Sequence, residues 1–122
     1  MKTPSEVRES KNHIGPLLRL IRIARGYGLN EFALEADLNP SNLSRFERGR
    51  VGALKLPDSL YPMAEVLRTS VPAIFVLWDI VGRDHTKWAP EVADMAYLIS
   101  LLDQANTGIA RIHAEVKPVT HY

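Results

Sequence analysis

Apolar residues recur along this chain at spacings of three and four, and no stretch alternates at every second position. The pattern predicts an all-α protein. A first helix opens at Gly15-Pro16. Leu17, Leu18, Leu20, Ile21 and Ala24 form its apolar side, Arg19, Arg22 and Arg25 its polar side, and Gly26-Tyr27-Gly28 its end. A second, short helix spans about Asn30 to Ala36. Asn39-Pro40 opens a third, with Asn39 as N-cap and Pro40 at the first helical position. This helix runs to about Arg48, and Gly49 suits the position just beyond its end. Residues 50–57 form a loop. Pro57-Asp58-Ser59 starts a fourth helix that ends near Arg68, with Pro62 in or near its first turn, where a missing N–H does little harm. Ser70 caps a fifth helix, about Val71 to Val81, which Gly82 stops. A polar linker over 83–90 leads to a long last helix from about Glu91 to Val116, followed by a tail at 118–122. At the other end, Thr3-Pro4-Ser5-Glu6 resembles a capping box, so residues 1–13 form a short polar helix or a polar arm.

Composition narrows the chemistry. There is no cysteine, which excludes disulfides, cysteine-based zinc fingers and a thiol nucleophile. The four histidines stand at 13, 85, 113 and 121, with no pair at i, i+3 or i, i+4 and no Ser/His/carboxylate arrangement. No Gly-Lys phosphate loop is present. Neither catalysis nor a metal or other cofactor is therefore expected. Trp78 and Trp88 bracket the linker and are expected as packing anchors rather than walls of a ligand pocket. No apolar run approaches the roughly 20 residues that span a bilayer, and the N-terminus has no apolar signal core. The expectation is a cytoplasmic protein without a membrane partner.

Net charge is only +1, but it is unevenly spread. Residues 1–55 hold ten Lys and Arg against six Asp and Glu, whereas residues 56–122 hold five against eight. The basic excess falls in the half that contains LNPSNLSRFERG (38–49), a polar helix in an otherwise apolar neighbourhood, and it suggests an anionic partner. Phe32, Ala33, Ala36, Leu38, Leu43 and Phe46 have the spacing that packs two short helices across a tight turn. Asp37 sits at that turn, where a left-handed backbone is needed and Asp is tolerated better than most residues. With Leu43 and Phe46 turned inward, Ser41, Asn42, Ser44, Arg45 and Arg48 are left for the outside. Arg pairs bidentately with guanine, Asn with adenine, and Ser serves either. The layout is that of a helix-turn-helix with its polar edge suited to a major groove.

These residues carry a family resemblance. LSRFERG (43–49), LLRLIRIARG (17–26) and MAEVLRTSVPAIF (63–75) make residues 14–75 resemble the Cro/phage-repressor, or XRE-type, group of helix-turn-helix regulators. The resemblance implies a five-helix lambda-repressor-like DNA-binding domain over 14–82, with the last helix, 91–117, as an addition. It implies a salt bridge between Arg22 and Glu47 that ties the first helix to the third. It places Ser41, Asn42 and Arg45 at base edges, with Ser44 added from the outward face alone, and Arg48, Arg50 and Lys55 at phosphates. The family's polar residue at the start of the second helix is replaced by Leu29, so either that contact is unmade, or the helix starts late and Asn30 supplies it.

In the last helix, Val92, Met95, Ile99, Leu102, Asn106, Ile109, His113 and Val116 recur as a heptad-like seam, which Leu98, Ala105 and Ile112 widen. Three roles are open for it: the contact of a homodimer, a cap on its own domain, or ligand sensing. The leading expectation is a homodimeric repressor on an inverted-repeat double-stranded DNA operator. The alternatives are an antitoxin that grips a toxin partner with its C-terminal segment, and a protein-interaction module with no DNA role.

Overall fold

The computed structural model describes the backbone of residues 10–116 and the side chains of residues 10–112. This part is all-helical, with α1 (Gly15–Ala24), α2 (Leu29–Glu35), α3 (Pro40–Glu47), α4 (Leu60–Val66), α5 (Val71–Val81) and α6 (Met95–Val116). Single 3₁₀ turns at His85–Lys87 and Pro90–Ala93 join α5 to α6. The expected helix or arm over residues 3–9, the Val116 side chain and the 118–122 tail lie outside the described residues. Among the described residues no helix is long and apolar enough to cross a membrane.

Local chemistry explains most helix ends. Asn39 Oδ1 accepts the Asn42 N–H at 3.1 Å and so starts α3 with Pro40 in its first turn. Ser70 Oγ does the same for α5 through Ala73 N–H. Helices α1 to α4 all finish in the same double hydrogen bond, with the following residue in the left-handed region. That residue is Gly26, Asp37, Gly49 and Arg68 in turn. At the α2 end, Leu38 N–H donates to Ala33 O at 2.8 Å and Asp37 N–H to Leu34 O at 3.2 Å. Asp37 has φ 56°, as its position at the turn predicts, whereas Arg68 at φ 58° carries no such signal in the sequence.

Three boundaries differ from the sequence pattern. Helix α2 begins one residue early, at Leu29, with Gly28 as its cap. Helix α4 begins at Leu60, after a turn over 57–59, and Pro62 stays in its first turn. Helix α6 begins at Met95 rather than Glu91, because Asp94 Oδ1 accepts the Tyr97 N–H at 2.8 Å and caps the helix there.

The core joins Leu17, Leu18 and Ile21 of α1 to Phe32, Leu43, Phe46, Leu60, Met63, Ile74 and Leu77, and extends to Leu98 and Leu102 of α6. The polar side of α1 is not a solvated face: only Arg19 is exposed. Arg22 is buried, and Arg25 donates to Leu67 O and to Asp103 Oδ1, both at 2.9 Å, tying α1 to the end of α4 and to α6.

Helix α6 packs along α1 and α5. Its buried stripe is Leu98 and Leu102, flanked by half-buried Ile99, Leu101, Ala105 and Ile109, while Met95 is 50% exposed. This corrects the expected dimer seam at two of its positions, Val92 and Leu102. Val92 lies in the preceding 3₁₀ turn, and it and Leu102 are buried in the chain's own core. Asn106 has its partner within the chain, accepting from the Ser70 hydroxyl at 2.9 Å. The role taken by the inner face of α6 is that of a cap on its own domain.

Residues 10–13 run past the end of α3. Ser10 N–H donates to Gly49 O at 2.9 Å, and the His13 ring stands edge-on to Phe46. His13 Nδ1 accepts the Gly15 N–H at 2.9 Å, which leaves its proton on Nε2. Burial, then the nearby charge of His85, push its pKa below 6.5. The folded state therefore binds this proton less readily than the unfolded chain. Stability from His13 is full above about pH 6.5 and declines as pH falls toward the folded-state pKa. The urea midpoint should drop more between about pH 7.5 and pH 5.5 in the wild type than in His13→Asn, which can still accept from Gly15. Equal drops would refute the assignment.

Candidate nucleic-acid interface

Three contacts hold α3 in place. Leu43 and Phe46 are buried in the core, and Glu47, its last residue, meets Arg22 of α1. Arg22 Nε donates to Glu47 Oε2 at 2.7 Å and Nη2 donates to Oε1 at 2.8 Å, a bidentate pair with both residues buried. The third nitrogen, Nη1, donates to Tyr27 O at 2.8 Å. One guanidinium thus links α1, the end of α3 and the segment leading into α2. At the opposite corner α1 starts against the end of α3: a Cβ on Gly15 would lie 1.7 Å from Phe46 O.

With that side committed, the other side of α3 is polar and accessible. Ser41 and Arg48 are exposed; Asn42, Ser44 and Arg45 are half-buried. Two side-chain bonds order this edge. Arg45 Nη2 donates to Asn42 Oδ1 at 2.7 Å, and Arg48 Nη1 donates to Ser44 Oγ at 2.8 Å. Across from them stands the first turn of α2. Asn30, Ser41, Ser44, Arg45 and Arg48, with Leu29 and Pro40, line one shallow concavity of about 270 Å³.

Most of the sequence-derived positions thus meet, and three do not: Asn42 reaches the concavity only through its bond to Arg45 and does not line it. Arg50, half-buried beyond Gly49, and Lys55, exposed in the following loop, do not line the concavity. Asp37 is exposed on the turn and stays out of it as well. The Leu29 departure is resolved structurally: α2 does not start late, Leu29 packs partly onto the core, and the next residue, Asn30, is the exposed polar group at the rim. Leu29 and Pro40 are lining residues that the polar pattern passed over. No family model, curated protein or solved structure matches the chain.

Proposed function

We propose that the chain is a sequence-specific double-stranded DNA-binding regulator of the lambda-repressor-like, XRE type. It acts in the cytoplasm as a homodimer that occludes promoters. The observation that carries this is the two-sided α3: Leu43, Phe46 and Glu47 anchor it, and Ser41, Ser44, Arg45 and Arg48 line one concavity with Asn30, with Asn42 bonded to Arg45. A short, rigidly held helix with a polar, cationic edge is what a major groove accepts. The helix-turn-helix layout over 32–46 and the basic excess of the first 55 residues point the same way.

The ordered side chains sharpen the specificity. Asn42 Oδ1 already accepts from Arg45, so the N–H groups of Asn42 and Arg45 are the most available groups of this pair. Donors suit guanine N7 and O6 and phosphate oxygens, whereas bidentate pairing with adenine would make Asn42 Oδ1 share its acceptor capacity with Arg45. Asn30 and Arg48 flank this edge as phosphate contacts. Arg50 and Lys55 stand outside the concavity. Two copies reading half-sites about 10 bp apart would match two-fold operator symmetry. The apolar side chains left exposed for a second copy include Val76 and Ile80 of α5 and Met95 of α6.

Selection of bound sequences from random DNA, with sizing of the complex, tests the reading. An inverted repeat bound by two copies is expected. Arg45→Ala should lose about 1–3 kcal/mol of affinity, relax one guanine position in each half-site and leave the fold intact. Affinity should fall steeply with salt. The absence of salt-dependent binding to any DNA would end this proposal, and co-purification of a small protein that covers α6 would favour the antitoxin alternative.

A further inference from the structure

A second cleft, of about 430 Å³, opens beside the recognition edge. Pro16, Arg19 and Leu20 of α1 form one wall, and Trp88, Pro90 and Val92 of the connector before α6 form the other. Its volume is in the range of small-molecule sites, and its walls are largely apolar. Its charged groups are not balanced. Arg19 and Arg48 line it together with His85, and its one carboxylate, Glu47, is held bidentately by Arg22. Among the described residues Arg19 is exposed and makes no ion pair, and the Arg48 guanidinium holds only the Ser44 hydroxyl, a weak neutral partner. Trp88 is fixed as a wall by its indole N–H bond to Gly82 O and its edge contact with His85. An apolar slot with two arginines and a histidine at its rim fits a small organic monoanion with an apolar body.

Arg48 lines both this cleft and the α2–α3 concavity. We infer that the cleft binds a small amphipathic carboxylate, and that such a ligand, by engaging Arg48 and Arg19, draws Arg48 from the DNA edge and weakens DNA binding. This second half rests on the DNA-binding reading above. Ligand and DNA then oppose each other through one shared side chain, and each lowers the other's affinity by the same factor.

The test uses the full chain and two probe anions, octanoate and 2-naphthoate, with 1-octanol and octylamine as neutral and cationic controls. Followed by NMR, at least one anion should give saturable shifts of the Trp88 indole and of the Arg19, Arg48 and His85 amides. Octanol should bind at least tenfold more weakly than octanoate, and octylamine should not bind. Arg19→Ala, a change at an exposed residue, should weaken the anion at least tenfold while the remaining spectrum is unchanged. No saturable shift from either anion, shifts away from the cleft, or equal binding of octanol and octanoate would overturn the site. With a selected DNA fragment, saturating anion should lower affinity at least tenfold in the wild type and have little effect in Arg19→Ala; unchanged wild-type affinity would overturn the coupling. A chain that binds no DNA but shows the anion shifts would sink the DNA reading and leave the ligand site standing.

Discussion

Glu47→Ala should destabilise the fold by about 3–5 kcal/mol, because it strands a buried guanidinium. For a chain of this size that is roughly 10–20 °C in melting temperature. Arg22 loses both of its carboxylate bonds and keeps only Tyr27 O. Arg22→Ala should be similar in size, since it leaves the carboxylate buried instead. The double replacement Arg22→Met with Glu47→Leu should recover most of the loss, because two apolar side chains leave no uncompensated charge. Thermal or urea unfolding of the three variants measures this. A single-variant loss under about 1 kcal/mol, or a double variant as unstable as the sum, would show that the pair is not what holds α3 against α1.

Gly15→Ala should be nearly as damaging, at about 3 kcal/mol or more, the upper end of overpacking effects. The added methyl would sit 1.7 Å from Phe46 O and 2.7 Å from Phe46 C, both backbone atoms that cannot rotate away. That carbonyl also accepts the Gly49 N–H that closes the end of α3. Relief therefore requires α1 and α3 to separate. Gly108→Ala provides the contrast. A Cβ there meets nothing within 4 Å, and Gly108 lies inside α6, so the same substitution should stabilise by up to about 1 kcal/mol. Differential scanning calorimetry of the two variants should give shifts of opposite sign. A Gly15→Ala melting point within a degree of the wild type would disprove the close approach.

Much of the candidate site was legible before any tertiary structure. Asn39-Pro40 and Gly49 bound α3 where their cap chemistry predicts, and Asp37 takes the left-handed turn. Leu43 and Phe46 are inward, so the outward set is defined by subtraction. The partners of that set were not legible. The i, i+3 spacing of Asn42 and Arg45 permits their bond without selecting it, and nothing local says that Arg48 stands between two concavities. Trp88 was expected as a packing anchor alone, yet it is also a cleft wall, because the connector folds back over α1.

The sequence by itself determined the all-α class, most helix ends and the polar edge of α3. These follow from hydrogen bonds and periodicities that reach no more than about five residues along the chain. Only the tertiary structure decided which faces are covered. Arg25 looks like part of a solvated stripe on α1, but its partners lie 42 and 78 residues away, at Leu67 O and Asp103. The apolar stripe of α6 is wide enough to be rotated either way. Its centre moves to Leu98 and Leu102, and Met95 stays exposed, because α1 and α5 together offer the apolar surface that buries the most of it. Amphipathicity states that a face must be covered, and only the assembled neighbours settle by what.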